Sequence, residues 1–202
     1  MGADALIAIG LTGKYCAGKN YIASLFEERD IPVIDVDILG HQALQSSHEE
    51  LIALFGRQII ASDGSVDRKV LGRLVFSDQR ALRALEGAVH PKMRQLCIQQ
   101  LEMYRLRGIR AVLINAALLS RMQLDVLCDV VCFVKAPRLL RLARSMRRDG
   151  ATIASFLKIS ASQRDICAHA LHGAHDLYIV KNCGPKGFIH RQVDEFCATM
   201  LL

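Results

Sequence analysis

The 202 residues suit one compact domain with appended sub-domains, and a composition of 51% hydrophobic and 23% charged residues excludes wholesale disorder. The net charge of +6 fits polyanionic partners, while the absence of Trp and an aromatic content of 5% argue against a single-stranded nucleic-acid binder, which needs stacking platforms. No apolar run approaches the ~18–20 residues needed to span a bilayer, and the N-terminus lacks the basic region of a signal peptide. Seven cysteines without paired spacing fit a reducing compartment. The expectation is a cytoplasmic protein, monomeric or weakly homo-oligomeric, with neither nucleic acid nor membrane as partner.

The first predicted element is a buried strand over residues 5–11, carrying the apolar run Leu6-Ile7-Ala8-Ile9. A loop follows, Gly13-Lys14-Tyr15-Cys16-Ala17-Gly18-Lys19-Asn20, and then a helix over 19–29 with Ile22, Leu25 and Phe26 on one face. Strand, glycine loop and helix make a phosphate cradle. Backbone N–H groups point inward, and the helix N-terminus adds partial positive charge. Lys19 reaches the outer phosphates of a nucleoside triphosphate. Gly13, Cys16, Ala17, Gly18, Lys19, Asn20 and Tyr21 are the candidate nucleotide-binding residues. Asn20 stands where a Ser or Thr hydroxyl usually holds Mg²⁺. An amide oxygen can also ligate a hard cation, so Asn20 is the candidate metal ligand.

A short second strand is predicted at 32–36, with Asp35 and Asp37 at its end. If the chain is still extended there, the two side chains alternate, and one points at the phosphate loop. A carboxylate beside a reacting hydroxyl can accept or orient its proton; the plainer reading makes Asp37 a helix N-cap. Residues 38–107 read as mostly helical, with a turn at Asp63-Gly64-Ser65 and Pro91 near a helix start. This block is too long for a simple crossover and reads as an insertion that closes over a substrate. It carries His90 and Arg94, one turn apart.

Strands are predicted at 111–114, 130–134 and 177–180, the last ended by Asn182-Cys183-Gly184. Pro137 opens the helix after the fourth strand, and a final helix covers 187–200. That fourth helix region concentrates Arg138, Arg141, Arg144, Arg147 and Arg148. Arg144 and Arg148 are four apart and share a face, so they can clamp phosphates; a solvated helix face is the alternative. Residues 138–165 read as a lid. His169, His172 and His175, spaced by three, spread over more than one helix face, so a zinc site there with Cys167 is the lesser reading. Alternating strands and helices give the fold class: α/β, with a central parallel five-stranded sheet covered on both faces, a helical insertion and a lid. The expected division is a nucleotide-binding core over 1–37 and 108–202, an insertion over 38–107, and a lid over 138–165.

With these residues in place the chain resembles the dephospho-CoA kinase family. The resemblance runs from Ile9-Gly10-Leu11-Thr12-Gly13 through Ala17-Gly18-Lys19 and Val33-Ile34-Asp35-Val36-Asp37-Ile38. It resumes at Phe55-Gly56, Asp63 to Arg68, Leu71-Gly72, Val75-Phe76-Ser77-Asp78, Leu85-Glu86, His90-Pro91 and Arg94. It ends at Arg144, Met146, Arg148-Asp149-Gly150, Asn182 and Gly184. The resemblance implies a three-layer P-loop NTPase-type core, a coenzyme-A-binding role for the helical insertion over 38–107, a lid, and ATP- and Mg²⁺-dependent phosphorylation of the ribose 3′-hydroxyl of dephospho-CoA. By position Asp37 matches the proposed catalytic base. Lys19 and the loop hold ATP, Arg144 and Arg148 match lid arginines, and His90 and Arg94 match the acceptor-facing region. Lys14 and Cys16 replace family glycines, and Asn20 replaces a Ser. Ala117-Leu118-Leu119-Ser120-Arg121 replaces Pro-Leu-Leu-Phe-Glu, and Asp176 is the remnant of an Ala-Asp pair. The alternative these departures raise is a nucleotide-binding protein of the same fold with little kinase activity.

Overall fold

The structure, a computed structural model, describes residues 6–167 and 176–200. Five strands form one parallel sheet in the order β2-β3-β1-β4-β5. They are β1 (Ile7–Gly13), β2 (Val33–Asp35), β3 (Ala111–Asn115), β4 (Val130–Lys135) and β5 (Asp176–Lys181). All five residues of β3 and the first five of β4 are buried, as near-continuous apolar runs require in a sheet covered on both faces. β1 is central, with Leu11 opposite Asn115 of β3 on one side and Cys132 of β4 on the other. The strand runs two residues beyond the expected end at Leu11, up to Gly13. Glycine reads as a strand breaker in sequence, but a Cβ on Gly10 would lie 2.8 Å from both Cys128 Sγ and Leu119 Cδ2.

The chain divides into two compact units. The first comprises Met1–Asp35 and Leu101–Leu202. Its core packs α1 (Lys19–Glu27) and α8 (Lys186–Thr199) on the sheet through Ile22, Leu25, Phe26, Ile189, Val193 and Phe196. Phe26 and Phe196 meet edge to face at 5.7 Å, a favoured aromatic geometry. Two further helices follow β4: α6 (Arg138–Asp149) and α7 (Ile153–Ser162). Gly150, left-handed at φ +61°, ends α6, and Thr152 caps α7 by accepting from Ser155 N. Cysteines 16, 97, 128, 132 and 197 are buried, and all seven are free thiols. Burial pushes the Cys132 thiol well above its ordinary range.

The second unit, Val36–Gln100, is helical. It holds α2 (Val36–Ser46), α3 (His48–Phe55), α4 (Arg68–Ser77) and most of α5 (Gln79–Leu106). The turn expected at 63–65 is present: Asp63 accepts from Ser65 N and Oγ, and Gly64 is left-handed at φ +83°. Asp67 caps α4 by accepting from Lys69 N and Val70 N.

Two local expectations are corrected. Pro91 does not open a helix but lies inside the 28-residue α5. An interior proline costs about 3 kcal/mol, yet the buried stripe Val89, Met93 and Cys97 continues at four-residue spacing through it, so packing holds the helix across the break. Asp37 is neither in an extended segment nor an N-cap. The strand ends at Asp35 and the helix begins at Val36, which puts Asp37 in the first turn of α2. There its charge complements the helix dipole.

No helix among the described residues is long and apolar enough to cross a membrane. His169, His172 and His175 lie outside the described residues.

Candidate functional site

The loop after β1 lies at the carboxyl end of the central strand, where parallel sheets present ligands. Two glycines fix its path. A Cβ on Gly13 would sit 2.6 Å from Val134 O. Gly18 has φ +93°, and its Cβ would sit 2.2 Å from Asn182 Nδ2. Gly18 is the N-cap of α1, so it offers no side chain to the first-turn N–H groups, and that turn carries no acidic residue. An uncapped, positively polarised helix end with Lys19 as its first residue is suited to an anion.

Of the two residues that replace family glycines, only Cys16 adopts a left-handed backbone, at φ +58°. A side chain there costs about 1–2 kcal/mol. Lys14 has an ordinary negative φ. The loop is braced from outside. Tyr15 N donates to Gln163 Oε1 at 2.7 Å and Ala17 N to Lys14 O at 2.9 Å, so these two donors are engaged within the protein. Asn182, 2% exposed, donates from Nδ2 to Ala17 O at 2.8 Å.

The arginines divide by function. Arg144 Nη1 donates to Ala17 O at 3.0 Å, and Nη2 donates to the backbone and side-chain oxygens of Asn182. Arg141 is 7% exposed, donates to Tyr15 O at 3.2 Å and lies over the Phe156 ring. Burial, and then Arg138, lower its pKa. Arg148 packs over the Tyr15 ring and donates twice to Asp149, which also accepts from Tyr15 Oη. Arg148 and then Tyr15 hold the Asp149 carboxyl down at about 2, and the bond to Asp149 pushes the Tyr15 phenol up to about 12. A cavity of about 390 Å³ opens beside the loop, with Lys14, Lys135 and Arg141 among its lining residues.

Asn20 Oδ1 accepts from Asn115 Nδ2 at 3.3 Å. Asn115, at the end of β3, is 6% exposed, and its own Oδ1 is buried without a hydrogen-bond partner among the described residues. An orphaned amide oxygen next to a second amide oxygen suits a hard cation or its bound water, so these residues fit Mg²⁺.

In the second unit, Asp37 and His90 line one cavity of about 360 Å³ with His41, Arg68 and Glu86, over an apolar floor that includes Val89 and Met93. Arg94 is on the same helix as His90 but does not line that cavity. Reading by motif passed through Arg68 and Glu86 without giving either a site role, and did not single out His41. The signal was in the spacing: His41 is four after Asp37, and Glu86 four before His90, so each shares a helix face with a residue already singled out. The bracing roles of Gln163, Arg141 and Asp149 were also missed, because no local pattern tells which side chain braces a loop more than a hundred residues away.

Two more departures are resolved. Arg121 pairs with Asp165 and donates to Ser162 O, replacing a glutamate with a cation that ties the 116–124 turn to the end of α7. Asp176 opens β5, exposed, opposite Val130.

The family model for dephospho-CoA kinase matches residues 7–183. A dephospho-CoA kinase of Shouchella clausii is 32% identical over 92% of this chain and 94% of its own. That of Geobacter sulfurreducens is 32% identical over 94% and 96%. Among solved structures, TT1252 from Thermus thermophilus superposes with a TM-score of 0.81 at 29% identity, covering 97% of this chain and 98% of that one. The dephospho-CoA kinase from Campylobacter jejuni, at 22% identity and a TM-score of 0.72, shares the fold. The chain belongs to the dephospho-CoA kinase family.

Proposed function

We propose that this chain, as a member of the dephospho-CoA kinase family, divides the phosphorylation of dephospho-CoA by ATP between its two units as follows. The family match over residues 7–183 carries the reaction; the assignment of roles rests on the geometry of each unit. The Gly13–Gly18 loop and the uncapped N-terminus of α1 hold the triphosphate, with Lys19 on its outer phosphates. Asn182 and Arg144 keep that loop in shape through Ala17 O. Arg148 and the cations around the neighbouring cavity, Lys14, Lys135 and Arg141, supply positive charge for the phosphoryl oxygens. Asn20, with Asn115 behind it, would hold Mg²⁺. When bound, Mg²⁺ supplies charge neutralisation on the phosphates.

The acceptor occupies the cavity around Asp37 and His90. Asp37 accepts the proton of the ribose 3′-hydroxyl and orients its lone pair. Transfer to an alcohol needs alignment and charge neutralisation more than covalent help, and these residues supply both. Helices α6 and α7 act as the lid that keeps water, the competing acceptor, from the phosphate.

The test is a coupled ADP-release assay with ATP, Mg²⁺ and dephospho-CoA, with mass detection of coenzyme A. The expected result is acceptor-dependent coenzyme A formation that Lys19→Ala abolishes while the variant stays folded. Folded protein that binds ATP but forms no coenzyme A overturns the reading in favour of a nucleotide-binding relative that has lost transfer.

A further inference from the structure

We infer that Glu86 hydrogen-bonds the ribose hydroxyl next to the one that is phosphorylated, so that the cavity selects ribonucleoside over 2′-deoxyribonucleoside acceptors. The inference rests on the acceptor reading above and adds a specificity-determining residue to it.

Among the described residues the Glu86 side chain has no hydrogen-bond or ion-pair partner, although it is half-buried and lines the cavity of about 360 Å³ with Asp37 and His90. A partly desolvated carboxylate without a partner is costly unless a ligand supplies one. An ionised carboxylate only accepts hydrogen bonds, so the group it meets must be a donor. That excludes the acceptor's diphosphate, which like charge repels and for which Arg68, also lining the cavity and without a partner among the described residues, is the suited group. The apolar floor of Leu44, Leu85, Val89 and Met93 takes uncharged surface. The acceptor's other donors, the adenine amine and the amides and hydroxyl of the pantetheine arm, stand apart from one another, whereas the two ribose hydroxyls are a vicinal pair. Asp37 is assigned the 3′-hydroxyl, and the 2′-hydroxyl is its immediate neighbour on the ring. Two carboxylates in one cavity thus match two vicinal hydroxyls. Glu86 precedes His90 by one helical turn on α5, so the helix face that presents one presents the other.

A site built to bond a hydroxyl rejects the analogue that lacks it, because its own polar group is then left unpaired. A hydrogen bond to a charged group corresponds to a preference of about tenfold to a hundredfold. The test is calorimetric binding of dephospho-CoA and of its 2′-deoxy analogue to the full chain without ATP. The wild type should prefer dephospho-CoA by that factor. Glu86→Ala should bring the ratio close to one mainly by weakening the ribose form, and Glu86→Gln, which keeps an accepting oxygen, should retain part of the preference. A structural role would weaken both ligands alike and leave the ratio unmoved, which overturns the inference. So does a wild-type ratio near one. If dephospho-CoA does not bind the wild type at all, the acceptor reading falls with it; binding with an unmoved ratio overturns the role of Glu86 alone.

Discussion

Gly18→Ala probes whether the phosphate loop is set by close packing rather than by glycine's mere flexibility. The new methyl group meets two obstacles. At φ +93° the backbone lies in left-handed territory, and the Cβ would sit 2.2 Å from Asn182 Nδ2. The first costs about 1–2 kcal/mol. The second displaces a buried amide that donates to Ala17 O at 2.8 Å, a loss of about 1–3 kcal/mol. Together they predict a destabilisation of about 2–5 kcal/mol. At about 2–4 °C per kcal/mol for a chain of this size, the melting temperature should fall by roughly 4–20 °C. ATP affinity should fall with it, because Ala17 and the start of α1 move. Calorimetric unfolding and an ATP titration on wild type, Gly18→Ala, Asn182→Ala and the double variant make the assay. Asn182→Ala should cost less in the Gly18→Ala background than in the wild type, since its bond is already lost there. A melting temperature within 2 °C of wild type with unchanged ATP affinity, or strictly additive effects, would refute the argument.

Three further outcomes are expected. Asp37→Asn keeps the shape of the side chain but not its basicity, so turnover should fall by about a hundredfold or more while ATP affinity, read by titration, stays within about twofold; an unchanged turnover removes Asp37 from its role. Asn20→Ser should lower the Mg²⁺ concentration giving half-maximal turnover, and an unchanged Mg²⁺ dependence places Asn20 outside the metal shell. The Asp149 carboxyl is held at about 2 against an ordinary 3.8, so its contribution is present above about pH 4 and lost as the pH falls towards 2. The stability difference between wild type and Asp149→Asn, measured by denaturant titration across that window, should therefore shrink on acidification; a difference that grows contradicts the assigned contacts.

The sheet was legible because its strands are apolar runs too short for a helix of ordinary length and are rich in β-branched residues. The boundaries were less so where backbone and packing compete. Gly10 and Gly13 look like the end of a strand, yet each is a place where a neighbouring strand or side chain comes too close for a Cβ. Pro91 looks like a helix start, yet the buried stripe carries α5 through it. At the site, the loop and Lys19 were visible from local spacing. Cys16 was visible as a departure, but its left-handed φ was not, because Lys14 also stands where the family carries glycine and keeps a negative φ. The contacts of Gln163, Arg141 and Asp149 with residues 15 and 16 were invisible because they span more than a hundred positions. In the helical unit, the partners of Asp37 and His90 were present at four-residue spacing, but only the cavity distinguishes them from a solvated face.

The departures in the loop and the residues after β4 are one physical unit. Where a glycine-rich loop relies on backbone freedom, this loop carries Tyr15 and Cys16, whose side chains need somewhere to go. Tyr15 Oη donates to Asp149, and its ring lies under Arg148. Cys16 is 8% exposed, with Sγ 3.9 Å from the same carboxylate. Arg141, two turns earlier on α6, donates to Tyr15 O, and Gln163 beyond α7 accepts from Tyr15 N. Thus the end of α6, the segment after α7 and the middle of the loop are joined through residues 15 and 16. A bulky loop of this kind is tolerated only with matching groups on those helices, and those groups are present. Restoring glycine at position 16 would remove about 1–2 kcal/mol of left-handed strain but also the buried thiol, while the glycine adds freedom to the unfolded chain. These effects oppose one another, so Cys16→Gly should change the melting temperature little. A large rise would mean the thiol's packing contributes nothing, and a large fall that the braced loop depends on it more than on backbone strain.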